Sequence, residues 1–278
     1  MRDNETPSNR NVVRIVSSAS SLSNSSSLQM LIDRYKPTEI TKDSVATAIA
    51  TTCHPTTLLS PARLLNDYAA SVPGLVVHPS ASSRTKRLID ILGAAVGIVI
   101  TAIVAIPVAI AMQLNSPGPI FYGQIRCGLN GRTFRIWKFR SMMVGAERMQ
   151  HLVKNEAEGQ IFKNSNDPRV TRVGRFLRRT SLDELPQFWN VLRGEMSLVG
   201  TRPPTVNEVK QYLPLHWQRL QVKPGITGEW QVNGRSSVKD FEAIVGMDLE
   251  YQRKWSVAYD LYLLFKTLQV VLNKHGAY

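Results

Sequence analysis

The chain has 278 residues, of which 43% are hydrophobic, and its 34 Lys plus Arg against 21 Asp plus Glu give a net charge of +13. That is enough chain for one or two packed domains, and a pI near 10.0 points to a negatively charged partner: nucleic acid, an anionic membrane surface or a phosphorylated substrate. The two cysteines, Cys53 and Cys127, exclude a disulfide scaffold, and no Cys/His spacing matches a zinc site, which leaves reduced, cytosol-facing chemistry.

Residues 1–80 differ from the rest. No apolar core follows the early Arg2, so no secretory signal is expected. The stretch SSASSLSNSSSLQ, residues 17–29, is Ser-rich and low in complexity, and such a segment buries too little apolar surface to offset its ordering entropy. The region reads as a mostly disordered tail, with short helices near 46–52 and 61–70 and no assigned chemistry.

At Arg84 the composition changes. RTKRLID leads into ILGAAVGIVITAIVAIPVAIAMQL, residues 91–114, which carry no charge. A helix of that length reaches about 36 Å, enough to cross a hydrocarbon core of about 30 Å. A buried core helix is the soluble alternative, but such helices rarely stay apolar all round for so long. Pro107 interrupts the run and favours a kink, and residues 91–106 alone rise only about 24 Å. Arg84, Lys86 and Arg87 precede the run; Arg126, Arg132, Arg135, Lys138 and Arg140 follow it. Positive residues favour the cytoplasmic side, so both flanks ask for the same side. A re-entrant hairpin over 84–115, broken at Pro107, satisfies both; a kinked single-pass helix is what length alone prefers. Gly93 and Gly97 form a GxxxG pattern that permits close packing, between the two arms for instance.

The remainder, 116–278, reads as a small α+β domain, mainly helical. SPGP, 116–119, is a rigid turn. Residues 120–142 read as two short strands around GLNG, and 142–160 as a helix. Two helices separated near Thr180 and Ser181 fill 167–194. SLVGTRPP, 197–204, is a short apolar strand leading to a loop that presents Arg202. VKPGITGEWQVNGR, 222–235, is a Gly-rich loop region carrying Lys223 and Arg235. Residues 259–274 form an amphipathic helix whose broad apolar face suits the core or a membrane interface.

SLDELPQFWNVL, 181–192, places Asp183 beside Glu184. A plain structural account is complete: Ser181 and Glu184 match an S-x-x-E capping box, or Asp183 is itself the N-cap. The neighbours add to it. Arg169, Arg172, Arg175 and Arg178 recur every third residue, a cationic stripe that ends at the acidic pair. A mixed-charge site of this kind suits a phosphate group, a divalent metal or both. Arg202, Lys223 and Arg235 add cations on stiff loops, a sensible way to hold a diphosphate. A carboxylate can attack phosphorus to give an acyl-phosphate, provided cations cancel the charge. Adjacent on a helix, the two carboxylates point about 100° apart, so they divide the work: one a nucleophile, the other a metal ligand or proton acceptor.

Together KRLIDILGA, SPGPIFYGQIRCGLNG, KFRSM, DPRVTRVGRFLRRTSLDELPQFWNVLRGEMSLVGTRPP and VKPGITGEWQVNGR resemble, in order and spacing, the bacterial sugar transferases, monotopic polyprenyl-phosphate phosphoglycosyltransferases. The resemblance runs from about Lys86 to Tyr278. It implies transfer of a sugar-1-phosphate from a UDP-sugar to undecaprenyl phosphate with release of UMP, the first step in assembling a surface polysaccharide or glycoconjugate. It implies a re-entrant membrane helix, a catalytic domain on the cytoplasmic face of the bacterial inner membrane, and downstream glycosyltransferases as partners. By the same analogy Asp183 is the nucleophile and Mg²⁺ ligand, Glu184 assists, and Arg178 and Arg202 contact phosphates. Lys138 and Arg140 fall in KFRSM, and Asp248 matches a further acidic position. Three departures stand out. Ile106-Pro107 replaces the usual Ser-Pro at the membrane break, GTRPP replaces GPRP, and Lys223 replaces an Arg, so a bidentate fork becomes a point charge.

Two other functions fit parts of the chain. A nucleic-acid-binding protein suits the pI but leaves the apolar run unexplained and lacks a binding motif, so no nucleic-acid partner is expected. A non-catalytic membrane-anchored scaffold treats Asp183 as a cap and the arginines as contacts to membrane lipids.

Overall fold

The computed structural model describes residues 76–156, 162, 164, 166–234, 238 and 240–272. The expectations for residues 1–75, including both short helices there, lie outside these. Residues 78–82, at the edge of the expected tail, are packed: the His78 amide donates to Gln221 O at 3.0 Å, and the His78 ring meets Trp255 edge-on.

The described chain is mainly helical with two small sheets. Strands β1 (Phe121–Cys127) and β2 (Thr133–Phe139) pair antiparallel, Phe121 opposite Phe139, as the alternation around GLNG predicts. Strands β3 (Ser197–Val199) and β4 (Gly225–Thr227) pair in parallel. The principal helices are α1 (Arg84–Asn115), α2 (Arg172–Arg179), α3 (Gln187–Arg193), α4 (Val206–Val209), α5 (Phe241–Lys254) and α6 (Val257–Leu272).

Helix α1 is long and apolar enough to cross a membrane, and its sequence sorts into two faces. One face docks along the domain from end to end. Near its start Lys86 Nζ donates to Asp260 at 2.6 Å and to Val199 O at 2.9 Å. Asp90 accepts from Leu198 N and Ser197 Oγ, both at 2.9 Å. Midway, Thr101 Oγ1 reaches Leu185 O at 3.2 Å. Near its end Val108 and Met112 are buried with Phe139 and Leu177, and Asn115 Oδ1 accepts from Val173 N at 3.3 Å. The other face exposes Leu88, Leu92, Val96, Val99, Ile103, Ile106, Ile110 and Leu114, a continuous apolar stripe at helical spacing.

Two expectations for this segment change. The helical backbone continues through Pro107, so Ile106-Pro107 is no break between two helices. The missing amide forfeits one backbone bond, and packing before and after it holds the turn. Gly93 and Gly97 serve neither a pair of arms nor a dimer: a Cβ at Gly93 would meet Leu198 at 2.5 Å, and one at Gly97 would meet Phe188 at 2.3 Å. They let α1 settle onto β3 and α3.

Residues 142–156 hold a 3-10 segment, Ala146–Leu152, rather than the start of a long helix. Gly145 enters it at φ 81, and Arg169 Nη1 pins its first carbonyl, Ala146 O, at 3.1 Å. The 222–235 region contains β4, which no alternation announced. Its pairing with β3 requires backbone-on-backbone approach: a Cβ at Gly225 would lie 2.1 Å from Gly200 N, and one at Gly200 would lie 2.2 Å from Lys223 O. Helix α6 buries Leu263 fully and exposes Leu261, Tyr262, Phe265 and Leu268, the amphipathic division its sequence predicts.

Candidate active site

An open pocket of about 860 Å³ lies between the β1–β2 hairpin, the 142–150 segment, the C-terminal end of α2 and α4. Asp183, Glu184, Lys138, Arg140, Arg178 and Arg202 all line it, so residues spread over 65 positions of sequence meet in one place.

The acidic pair is positioned by α2. Thr171 caps that helix, its Oγ1 accepting from Gly174 N at 2.9 Å. At Gly174 the helix lies directly on the KFRSM backbone, where a Cβ would fall 1.8 Å from Ser141 O. This contact brings Arg178 Nε to Ser141 Oγ at 2.9 Å. The chain then leaves α2 through Ser181, held left-handed at φ 57, and makes one 3-10 turn, Leu182–Glu184. A non-glycine residue costs about 1 kcal/mol or more in that conformation, here two positions before Asp183. Leu182 and Leu185 bracket the pair and pack into the cluster of Val108, Met112, Phe139 and Leu177, which fastens the turn to α1.

Neither cap expected here forms. Ser181 makes no side-chain cap bond, α3 starts only at Gln187, and its N-cap is Pro186. Asp183 is therefore buried, 7% exposed, without a capping role.

The two carboxylates sit in different surroundings. Glu184 Oε1 accepts from Lys138 Nζ at 2.9 Å, a partly exposed ion pair. Asp183 is more deeply set: burial pushes its carboxyl above the usual carboxylate range, Lys138 pulls it back, the charge of Glu184 pushes it up again, and Arg178 pulls down. Arg178 is itself lowered by burial, with Asp183 opposing. Arg202 is held bidentate by Glu208, Nη1 to Oε2 at 3.1 Å and Nη2 to Oε1 at 3.4 Å. Arg140, though a pocket residue, spends its guanidinium on the SPGP turn, donating to Pro119 O at 2.6 Å and to Ser116 O at 2.5 Å.

Other expected residues lie elsewhere. Lys223 is outside the pocket, where its charged neighbours are Arg87, Asp90 and Lys86 at the start of α1. The Lys223 carbonyl lies against Gly200, close to Arg202 in the chain, but its side chain runs the other way, toward Gly194. Arg235 lies outside the described residues. Pro107 sits on α1, beside the cluster under the acidic turn. Asp248 is fully buried on α5, paired with Arg219, whose carbonyl accepts from Thr201 Oγ1 at 3.1 Å; it braces the chain next to Arg202. The arginine stripe divides: Arg169 is buried in an ion pair with Asp167 at 2.6 Å, Arg178 faces the pocket, and Arg172, Arg175 and Arg179 are exposed. Two pocket residues were not anticipated, Arg126 and Glu208. Their signals were present, since Tyr122, Gln124 and Arg126 alternate along β1, and TVNE, 205–208, is a T-x-x-E box.

As to metal, no group of three or more His, Cys, Asp or Glu forms a ligand cluster among the described residues. The site fits an ion that takes one or two carboxylates and completes its shell with water and substrate phosphates, as Mg²⁺ does. Asp183 and Glu184 are the carboxylates that would hold it, since Glu208 is paired with Arg202 and Glu147 accepts from Tyr122.

A buried carboxylate flanked by Lys138 and Arg178, on a domain that also presents a long apolar helix, suits chemistry on phosphate near a membrane. The comparisons agree: the chain belongs to the bacterial sugar transferase family, which matches residues 81–274. It is 50% identical over 194 residues to the galactosyl transferase CpsE of Streptococcus agalactiae, covering 69% of this chain and 43% of that protein. It is 44% identical over 208 residues to the UDP-glucose:undecaprenyl-phosphate glucose-1-phosphate transferase of Escherichia coli, covering 71% and 43%. It is 38% identical over 221 residues to the exopolysaccharide production protein ExoY of Rhizobium meliloti, covering 76% and 97%. The chain thus spans less than half of the first two relatives and nearly all of the third.

Proposed function

We propose that the protein transfers a sugar-1-phosphate from a UDP-sugar to undecaprenyl phosphate, releasing UMP and starting a surface polysaccharide or glycoconjugate that downstream glycosyltransferases extend. The observation that carries this reading is Asp183: a buried carboxylate, free of capping duty, at the wall of a pocket lined by four or more cations.

The reaction has two displacements. An Asp183 carboxylate oxygen attacks the β-phosphorus, and the bond from that phosphorus to the bridging oxygen breaks. UMP departs with the bridging oxygen, leaving an aspartyl-phosphosugar. A phosphate oxygen of the polyprenyl phosphate then attacks the same phosphorus, which frees Asp183 and yields the polyprenyl diphosphate sugar. Arg178, Lys138 and Arg202 offset charge on the transferring and leaving phosphates. Glu184 holds Lys138 in place beside them. Asp183 would hold a Mg²⁺ ion, which would supply further charge neutralisation.

The same reading places the chain at the cytoplasmic face of the inner membrane. Support comes from α1, whose two ends touch one domain while its exposed stripe is apolar; a helix that sinks this stripe into one leaflet and keeps both flanks on the same side meets both conditions.

The test is UMP release by membranes containing the protein, with undecaprenyl phosphate and a panel of UDP-sugars. Asp183→Asn is expected to abolish release. Turnover by that variant at the wild-type rate overturns the nucleophile assignment, and no release by the wild type with any UDP-sugar returns the scaffold reading.

A further inference from the structure

Strand β1 brings to the pocket a cation with no task in the reaction above. Arg126 Nε and Nη2 donate to Gln124 Oε1 at 3.0 and 2.7 Å, and Nη1 donates to Pro203 O at 3.0 Å. These acceptors are neutral, and among the described residues Arg126 forms no ion pair. Burial is the main cause that brings its pKa down to about 10; the like charge of Arg202 adds to it, and Glu208 and Glu184 oppose. A half-buried guanidinium at a pocket wall without a carboxylate on it is placed to take an anion from a ligand.

Arg202 stands next to it and is fixed. Glu208 is 6% exposed and cannot swing away. Its Oε2 accepts from Thr205 N at 2.9 Å, and Thr205 Oγ1 accepts in return from Glu208 N at 3.2 Å. This closed capping box sets the carboxylate, and the carboxylate sets the plane of Arg202. Burial works to raise the Glu208 carboxyl, yet Arg202, Arg126 and the Thr205 amide hold it below the ordinary range. Two forks against one carboxylate leave one positive charge in surplus. Two guanidiniums side by side suit two adjacent phosphates, as in a diphosphate, better than a single phosphomonoester.

We propose that Arg126 and Arg202 form a two-guanidinium clamp for the diphosphate of a nucleoside diphosphate sugar, with Glu208 the positioning residue that orients Arg202. The clamp rests on the transferase reading. Its location beside β1 and α4 leaves Lys138 and Arg178 to the phosphate that Asp183 attacks.

The experiment measures UDP binding by calorimetry, and KM and kcat for UMP release, on the full chain in lipid nanodiscs. Arg126→Gln is expected to weaken UDP about tenfold or more, the scale of a lost charged hydrogen bond. KM should rise in proportion while kcat stays within about threefold. Arg126→Lys keeps the charge but cannot brace both Gln124 and Pro203, and should recover most of the affinity. Lysine binding UDP as weakly as glutamine means that Arg126 only braces the loop, which overturns its place in the clamp; so does unchanged affinity in Arg126→Gln. Glu208→Gln retains a residue that completes capping boxes but removes the charge. A positioning role predicts weaker UDP binding and a raised KM. Equal or tighter binding, the result if Glu208 merely cancels charge, overturns that role. A wild-type protein that neither binds UDP nor releases UMP from any UDP-sugar overturns the transferase reading itself, whereas an active wild type with wild-type-like variants overturns the clamp alone.

Discussion

Asp183 does its proposed work as an anion, and its surroundings resist the anion. Burial raises the carboxyl above the aspartate value of 3.8, with Lys138 and Arg178 only partly compensating. The acid limb of the pH–rate profile should therefore lie above that of an ordinary aspartate. Stability carries the opposite sign. A folded-state pKa above the unfolded value means the native protein binds the proton more tightly. That contribution is full below the unfolded value and is lost as pH rises through the folded one. Asparagine never ionises, so Asp183→Asn should melt at a higher temperature than wild type in mildly alkaline buffer. The gap should close as pH falls below about 4. Thermal melting across pH checks this; a variant less stable than wild type at alkaline pH means that Lys138 and Arg178 outweigh burial. Loss of activity with gain of stability is the trade expected of a strained catalytic group.

Between elements, the close approach of α2 to the KFRSM backbone decides the geometry of the site. The neighbour of Gly174 is the Ser141 carbonyl, which is main chain and cannot rotate aside. Gly174→Ala should destabilise the fold by about 1–3 kcal/mol, the usual cost of overpacking. It should also lower turnover, because α2 moves away with Arg178 and the start of the Asp183 turn; denaturant unfolding and UMP release report the two effects. The sequence showed where α2 and α3 lie, because their apolar spacing and the Thr180–Ser181 separation are local signals. The same local grammar misplaced the cap. Ser181–Glu184 and Thr205–Glu208 both match [ST]-x-x-E, and the box forms only at the second. The first is spent on a left-handed turn that long-range packing of Leu182 and Leu185 against α1 stabilises. The β4 strand escaped for a related reason: three residues paired in parallel across a gap of 25 positions carry no periodicity. Arg202, Lys138 and Arg178 were legible as motif members. Lys223 was not separable from them, because sequence shows that a loop is stiff but not which way it leads.

At the scale of the molecule, the proposal that the domain sits on one face of the bilayer rests on α1. A single-pass helix would carry one end about 30 Å from the other side of the hydrocarbon core. Here Lys86 and Asp90 near one end and Met112 and Asn115 near the other are all engaged by the same domain. Crossing would require one set to let go. Freeing Lys86 strands Asp260, and breaking a buried ion pair in this way costs about 3–5 kcal/mol; freeing Met112 opens the cluster beneath the acidic turn. On the proposed arrangement the exposed stripe from Leu88 to Leu114 sinks into one leaflet, with the exposed residues of α6 as a second apolar contact. Arg84 and Arg132 are both exposed and flank the segment. With Cys53 and Cys127 replaced, single cysteines at these two positions should react with an impermeant maleimide from the cytoplasmic side only, in intact and in inverted vesicles compared. Reaction from opposite sides would establish a crossing helix, and the docking of one of its ends would then have to be given up in the membrane.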